Sequence, residues 1–297
     1  VAASKLVGAW NPEPAVIAAS ILGLALYGSG FLALRRRGRR DHAGWTHACP
    51  FLLGVLVLTL ALVSPLDAAG DEYLVSAHML QHVMIGDLAP ALLVLGLRGP
   101  LTLFVLPAPI LRWVAGTMWL RRTLGFLLRP KPTFVAWALT MAVWHVPAIY
   151  DAALTRTWLH DLEHASFLAA GLLVWSLLID PARRGELDLR GRILYAGALF
   201  ATAHMLIHPV LLSSSAVYDS YASQRHGGHH AGEPGSLSPV ADQHWAALVM
   251  TVEQVVTLGV FLLVLLRPGA ARLSVVRAAL VSPHRRGRAG PATRHHT

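Results

Sequence analysis

Seven apolar stretches, each close to the length that crosses a lipid bilayer, dominate this 297-residue sequence. A transmembrane helix needs about 20 consecutive apolar residues, because it rises about 1.5 Å per residue through a hydrocarbon core about 30 Å thick. The stretches cover residues 15–34, 48–65, 74–97, 133–150, 160–179, 193–212 and 243–266. Charged residues make up 14% of the chain, well below the share usual in soluble domains. We therefore predict an all-α polytopic membrane protein, a bundle of seven transmembrane helices.

An eighth apolar segment, residues 101–118, differs from the other seven. Pro107 and Pro109 interrupt its backbone hydrogen bonds, and Arg112 would lie in lipid if the segment crossed the bilayer. We predict that this segment is interfacial or re-entrant.

The basic residues indicate the orientation of the helices. Clusters of arginine follow the first, third, fifth and seventh stretches, whereas the intervening loops hold only Arg156 and Arg225. Cytoplasmic loops carry the excess of lysine and arginine, so the N-terminus is predicted outside and the C-terminus in the cytoplasm, in the inner (plasma) membrane. The net charge of +9 is then explained by contacts with anionic lipid headgroups. Nucleic acid is not an expected partner, because the charges are divided among loops.

The predicted organisation has three parts. Residues 1–14 form an outer N-terminal segment, and residues 15–266 form the transmembrane domain. Its loop 213–239 is rich in Ser, Gly and His and is predicted to be a flexible outer loop. Residues 267–297 form a basic cytoplasmic tail that is predicted to be disordered.

Histidines at helical i,i+4 spacing interrupt three of the apolar stretches. Such spacing places both imidazoles on one helix face, and histidine is costly in hydrocarbon. Paired histidines in membrane-length segments therefore indicate a metal or haem site. With the predicted orientation, they lie between the outer surface and a depth of about 12 Å, so they could share one layer. The candidate ligands in this layer are His78, His82, His145, His160, His164, His204 and His208.

The residues around these histidines favour copper among the metals that imidazole binds. Met79 and Met205 directly follow His78 and His204, and thioethers favour Cu(I). The cofactor is therefore expected to be copper, in the Cu(I) state. The loop histidines at 226, 229 and 230 either gather metal first or belong to a solvated linker.

Several polar residues are candidates for orienting the ligands or relaying protons. Asp161 and Glu163 flank one histidine pair, and Asp242 and His244 open the seventh stretch. The acids of the loop before the third stretch are interpreted as simply solvated; they are Asp67, Asp71 and Glu72.

Two acidic residues fall well inside their stretches. Asp87 and Glu253 have no lysine or arginine in a nearby span. Each is protonated, hydrogen-bonded to a neighbouring helix, or part of a proton or ion path, and the sequence leaves these alternatives open.

Several motifs occur together, in order, between about residues 50 and 266. They are Ser-Pro-Leu at 64–66, Ser-Ala-His-Met-Leu-Gln-His at 76–82, Trp-His-Val-Pro at 144–147, Tyr-Asp-Ala-Ala-Leu at 150–154, His-Asp-Leu-Glu-His at 160–164 and Asp-Gln at 242–243. In these motifs the sequence resembles the CtaG family of cytochrome c oxidase assembly factors, of the caa(3) type.

The resemblance implies a function as well as a fold. A member of this family is a seven-helix membrane protein needed for respiratory chain biogenesis, and it is interpreted as a metallochaperone that delivers copper to a cytochrome c oxidase subunit. By position, the family's histidines correspond to His78, His82, His145, His160 and His164. The chain is then an assembly factor and not an enzyme, with an oxidase subunit and membrane lipids as its partners.

Rival functions make different demands on the sequence. A b-type haem-binding cytochrome needs histidines on two facing helices. A copper or proton transporter needs a route across the membrane, for which Asp87 and Glu253 are the best support. A zinc hydrolase is disfavoured because no His-Glu-x-x-His motif is present, and a retinal protein because the only lysines are Lys5 and Lys131.

Overall fold

The computed structural model describes residues 8–224 and 237–281. This part of the chain is helical and contains no strand, which confirms the predicted all-α class. The chain divides into two compact units, Val1–Thr257 and Leu258–Thr297. The contacts described below all lie within the first unit.

Fourteen α-helices are numbered here in chain order over the described residues. They are α1 (Pro14–Arg36), α2 (Trp45–Val63), α3 (Pro65–Glu72), α4 (Val75–Val83), α5 (Ala89–Gly96), α6 (Leu101–Phe104), α7 (Ala108–Gly116), α8 (Met118–Leu127), α9 (Pro130–Trp144), α10 (Pro147–Leu154), α11 (Thr157–Ile179), α12 (Leu189–Leu211), α13 (Asp219–Gln224) and α14 (Pro239–Val281). A 3₁₀ turn, Arg40–His42, precedes α2, and a π-helical turn, Met84–Leu88, joins α4 to α5.

Six segments of the described chain are long and apolar enough to cross a membrane as continuous helices, and they confirm the polytopic architecture. They are Pro14–Arg36, Arg40–Val63, Val75–Gly96, Thr157–Ile179, Leu189–Leu211 and Pro239–Leu266.

The fourth predicted span is broken rather than straight. Helices α9 and α10 meet at an angle of 75°, and they count as a seventh span only if the bent pair is taken as one crossing. The break lies where Val146 takes an extended conformation before Pro147, as proline disfavours a helical conformation in the residue that precedes it.

The segment predicted to be interfacial or re-entrant contains no long helix. Residues 101–127 fold into the short helices α6, α7 and α8, of which the longest has 10 residues. Pro107 precedes α7 in an extended conformation, and Pro109 lies in the first turn of that helix, where a missing N–H leaves no bond unmade.

Two predicted irregular regions are only partly described. Helix α14 continues to Val281, through the first half of the predicted tail, and residues 282–297 lie outside the described residues. Within the predicted outer loop, α13 forms a short helix, while the histidines at 226, 229 and 230 lie outside the described residues.

Glycines allow the helices that carry the histidines to approach closely. A Cβ on Gly171 of α11 would overlap the backbone oxygen of Gly86 in the π-helical turn. A Cβ on Gly96 of α5 would lie 2.6 Å from Cβ of Phe51 in α2. Small residues permit such backbone contacts in membranes, where packing drives helix association. The contact between Gly86 and Gly171 holds the end of α4 against α11.

Candidate metal centre

Four histidines from two helices form one buried cluster. His78 and His82 lie on α4, His160 and His164 lie on α11, and each pair has ring centroids 4.2 Å apart. Between the helices the rings are also close, at 5.4 Å for His78 and His160 and 5.4 Å for His82 and His164. We name these four residues the histidine cluster. The i,i+4 spacing aligns each pair, and the packing of the π-helical turn and α5 on α11 brings the two pairs together.

Two overlapping groups within the cluster have the spacing of metal ligands. The side-chain donors of His78, His160 and His164 all lie within 4.8 Å of one another, and so do those of His78, His82 and Glu163. Two ligands bound to one ion at about 2.0–2.1 Å lie at most about 4.2 Å apart, so small side-chain rotations would suffice. His78 belongs to both groups.

The ring nitrogens of the cluster lack hydrogen-bond partners among the described residues. Six buried ring nitrogens have no such partner: both nitrogens of His78, both nitrogens of His82, and the Nε2 atoms of His160 and His164. A buried polar atom without a partner loses its solvation without compensation, and native proteins contain few of them. A bound cation would satisfy one nitrogen of each imidazole that ligates it, so the donor set fits a metal ion.

Two carboxylates border the cluster from opposite sides. Oδ1 of Asp71 lies 3.4 Å from Nδ1 of His78 and 3.5 Å from Nε2 of His160. Oε1 of Glu163 lies 3.5 Å from Nε2 of His82, and its side chain is only 1% exposed. Carboxylates in such positions orient imidazole ligands or contribute an oxygen ligand themselves.

The N-terminus of α4 is held in place from a distant part of the chain. The Asp242 carboxylate accepts hydrogen bonds from the backbone N–H groups of Val75 (2.7 Å) and Ser76 (3.3 Å) and from the Ser76 hydroxyl (2.5 Å). It therefore caps a helix of which it is not part. Its role is to position α4, because it contacts the start of that helix and not the imidazoles.

Helix α3 packs tightly beneath the histidines. A Cβ on Gly70 would lie 2.9 Å from Cα of His78. Nε2 of Gln81 donates to Oδ1 of Asp67 at 2.6 Å and to the backbone oxygen of Ala61 at 3.0 Å. Burial and the neighbouring Asp71 raise the pKa of Asp67 to about 6. These contacts fix Asp71 beside the cluster.

Three tyrosines cover one side of the cluster. The ring of Tyr150 lies edge-on to His78 at 5.1 Å, and its hydroxyl is 3.2 Å from that of Tyr221. The Tyr221 hydroxyl donates to the backbone oxygen of Gly70 at 2.6 Å, and burial raises its pKa above the usual range. Tyr218 packs on Tyr150 at 4.3 Å. The tyrosines link α10 and the segment around α13 to α3.

The structure does not bring every predicted ligand into the cluster. His145 is buried near it, with Nδ1 bonded to the Met141 oxygen at 2.8 Å, and it belongs to neither ligand group of the described chain. His204 and His208 stack on each other at 4.2 Å on α12. Nε2 of His208 lies 2.8 Å from the Thr251 hydroxyl. This third pair also lies outside both groups.

The residues predicted to surround the ligands have mixed outcomes. Glu163 reaches His82, whereas Asp161 is exposed and lies on another face of α11. His244 is exposed and lies 3.2 Å from the backbone oxygen of Ser213. Met79 is fully buried, but Met205 is 78% exposed on the outside of the bundle. Met205 is therefore not placed to ligate an ion held by the histidine cluster.

Asp87 and Glu253 lie deeper in the bundle than the cluster. Nε1 of Trp175 donates to Oδ1 of Asp87 at 2.5 Å, and the Thr257 hydroxyl donates to Oε1 of Glu253 at 2.5 Å. Of the alternatives left open by the sequence, hydrogen bonding to a neighbouring helix therefore has direct structural support for Asp87.

The interpretation of Asp67 and Asp71 as solvated loop residues is wrong. Both lie on α3, where Asp67 accepts a hydrogen bond from Gln81. The Asp71 side chain is 35% exposed, and one of its oxygens faces the cluster. Ser64 followed by Pro65 is a helix-start signal, and the structure has the Ser64 hydroxyl capping α3. That signal could have revealed a helix over 65–72, although not the neighbour that it meets.

Comparison with known proteins identifies the family of this chain. The family model of the cytochrome c oxidase caa3 assembly factor matches residues 25–270, which include the whole histidine cluster. The chain belongs to this family.

Three mycobacterial proteins that are similar to this chain are longer than it. Uncharacterized proteins of Mycobacterium bovis and Mycobacterium tuberculosis are each 30% identical over 255 residues, which cover 81% of this chain and 36% of the relative. An uncharacterized protein of Mycobacterium leprae is 29% identical over 195 residues, 62% of this chain and 28% of its own length. The chain thus spans about a third of these relatives. No solved structure is significantly similar to it.

Proposed function

We propose that the histidine cluster binds copper as cargo and that the protein delivers this copper to a subunit of cytochrome c oxidase during assembly. The observation that carries the proposal is the convergence of four imidazoles, three of them buried, each with at least one buried ring nitrogen that lacks a hydrogen-bond partner among the described residues. Imidazole is a good ligand for copper, and the family to which the chain belongs assembles a copper-containing oxidase.

A gradient of exposure across the cluster suits an ion that enters and leaves. His160 and Asp71 are 14% and 35% exposed, whereas His78 and His82 are 0% and 3% exposed. The two ligand groups share His78, so an ion could pass from the group that contains the partly exposed His160 to the group that contains the buried His82 while it stays bound to His78. A closed structural site would not need an exposed rim.

The Cu(I) state is proposed on the imidazoles alone. Met205 is directed away from the cluster, so its thioether does not support the assignment. Two or three imidazoles are sufficient donors for copper, and Asp71 and Glu163, at 3.4 Å and 3.5 Å from His78 and His82, are placed to orient the rings.

A haem-binding function fits the geometry less well. Two histidines that ligate one haem must have a flat macrocycle between them. Neighbouring rings of the cluster have centroids 4.2–6.2 Å apart, with Phe167 4.6 Å from His82 and Tyr150 5.1 Å from His78. Aromatic side chains therefore fill the space that a macrocycle would require.

The test is the metal content of the purified full-length chain after loading with Cu(I), Cu(II) or Zn(II). The test variants replace both histidines of a cluster pair, as H78A/H82A and H160A/H164A. The matched control is H204A/H208A, which removes an i,i+4 pair outside both ligand groups. We expect the cluster variants to lose tight copper binding and the control to retain it.

Two results would overturn the proposal. If both cluster variants kept their copper content, the histidine cluster would not be the binding site. A marked preference for zinc would refute the assignment of copper. Delivery is tested separately in cells that lack the chain. There, the copper content of the oxidase should be restored by the wild type and the control variant, but not by H78A/H82A.

A further inference from the structure

A cavity of about 630 Å³ lies at the other end of the helices from the histidine cluster. From His164 to the end of α11 at Ile179 the helix rises about 22 Å. The cavity is formed where several connections meet: the turn before α2, the link after α5, and the link between α11 and α12. Its basic and acidic lining residues are His42, His47, Arg98, Asp180, Arg183 and Arg192.

One of the three arginines in the cavity is neutralised. Nη2 of Arg192 lies 3.3 Å from Oδ2 of Asp180, and Nη1 of Arg192 donates to the Leu178 oxygen at 3.0 Å. The Asp180 carboxylate also accepts the backbone N–H groups of Arg184 (2.7 Å) and Gly185 (2.9 Å). Its oxygens are therefore engaged, and it is not available to a second arginine.

The positive charges of Arg98 and Arg183 are not compensated by a carboxylate of the described residues. Arg98 donates to the backbone oxygens of Leu95 (2.8 Å) and Thr46 (3.3 Å), which orient the guanidinium without neutralising it. Within residues 8–224 and 237–281, neither Arg98 nor Arg183 has a carboxylate at ion-pair distance. Two uncompensated guanidinium groups thus line one concave site, and they repel each other unless an anion lies between them.

The cavity is held in shape by its loops. The Gly99 N–H donates to the Pro181 oxygen at 2.8 Å and joins the link after α5 to the link after α11. Asp180 and Arg183 adopt left-handed backbone conformations, with φ of 53° and 55°. Such conformations are unfavourable for residues other than glycine, so the surrounding contacts must maintain them. Arg183 is therefore presented by a defined loop.

We propose that this cavity is a binding site for a phosphate group, supplied by the headgroup of an anionic phospholipid. Guanidinium groups bind phosphate oxygens in pairs with charge-assisted hydrogen bonds. The cavity opens between the ends of membrane-spanning helices, which is the level at which lipid headgroups lie, and basic pockets between such helices bind anionic headgroups. Free phosphate has the same chemistry, so the test separates the two sources.

The experiment measures binding of phosphatidylglycerol, phosphatidylcholine and inorganic phosphate to the full-length chain in detergent, by native mass spectrometry and by the shift in melting temperature. The test variant is R98Q/R183Q. The matched control is R184Q/R190Q, which removes two exposed arginines of the same region that do not line the cavity. R183Q alone serves if the double variant does not fold, because the Arg183 guanidinium has no hydrogen-bond partner in the described chain.

We expect the wild type and the control to bind phosphatidylglycerol and to be stabilised by it, in preference to phosphatidylcholine. Loss of two charge-assisted contacts should weaken this binding about tenfold or more in R98Q/R183Q. Equal binding of the two lipids, or equal binding by the test and control variants, would overturn the proposal. Inorganic phosphate that stabilises the chain without any effect of phosphatidylglycerol would overturn the lipid assignment.

Discussion

The Asp71 carboxylate lies 3.4 Å from Nδ1 of His78, although the two residues belong to different helices. Gly70 makes this approach possible, because any side chain there would overlap the backbone of His78. The same Asp71 oxygen lies 3.5 Å from Nε2 of His160 on α11. Asp71 therefore bridges the two helices that supply the proposed ligands, and it is placed to orient one imidazole from each.

Substitution of this carboxylate should weaken metal binding without unfolding the protein. Asp71→Asn keeps the size of the side chain but removes the charge that orients His78 and His160. Loss of such a partner typically costs 10–100-fold in metal affinity. We expect a decrease of about that size in a competition assay with a copper chelator.

The matched control is Asp161→Asn. It removes an exposed carboxylate from α11, next to His160 in sequence. Its copper affinity should stay close to that of the wild type. Equal losses in the two variants would show that net charge, and not the position of Asp71, determines the affinity.

The cap on α4 should couple stability to metal binding. Asp242→Ala removes three hydrogen bonds from the start of the helix that carries His78 and His82. Loss of an N-cap costs about 0.5–2 kcal/mol. We expect a lower melting temperature in detergent together with weaker copper binding.

A second cap separates these two effects. Asp188 caps its own helix, α12, by accepting the Gly191 N–H at 2.7 Å, and α12 carries none of the histidine cluster. Asp188→Ala should therefore lower the melting temperature while it leaves copper affinity unchanged. If Asp242→Ala also left copper affinity unchanged, α4 would not depend on Asp242 for its position.

Much of the architecture could be predicted from the sequence, because the bilayer imposes strict length and polarity rules on each helix. The apolar stretches marked the six continuous spans and the bent fourth one. Pro147 indicates the bend, but a count of apolar residues does not take account of a single proline.

The histidine site was only partly predictable. The i,i+4 spacing of His204 and His208 is the same as that of the clustered pairs, yet α12 presents this pair elsewhere. Spacing fixes which side chains share a helix face, and only tertiary packing decides which neighbour that face meets. Asp71 and the tyrosines joined the site in the same way, through contacts between segments distant in sequence.

The glycine contact between α11 and the π-helical turn should be intolerant of substitution. Gly171→Ala places a Cβ in the space of the Gly86 backbone oxygen, which cannot move as the end of a flexible side chain can. Overpacking of this kind costs about 1–3 kcal/mol or more. A clear drop in melting temperature is expected.

Gly197→Ala provides the comparison for this substitution. It lies within α12, where an added Cβ meets nothing within 4 Å. Alanine favours a helix over glycine by about 0.5–1 kcal/mol, so this variant should be as stable as the wild type or more so. A destabilised Gly197→Ala together with an unaffected Gly171→Ala would contradict the close packing of α11 on the turn.

The buried position of Asp67 predicts a specific dependence of stability on pH. Its pKa is raised from 3.8 to about 6 in the folded protein, by burial and by the neighbouring Asp71. Between these values the folded state binds more protons at this residue than the unfolded state, so the contribution of Asp67 to stability falls as pH rises through that interval.

Asp67→Asn cannot ionise, and it retains an oxygen that can accept a hydrogen bond from Gln81. The melting temperature of the wild type, relative to that of the variant, should therefore fall from about pH 4 to about pH 6 and then level off. The measurement is made on metal-free protein, where subtraction removes the contribution of the histidines common to both chains. A difference that does not change over this interval would mean that Asp67 ionises at its ordinary pKa and is not held in the buried contact with Gln81.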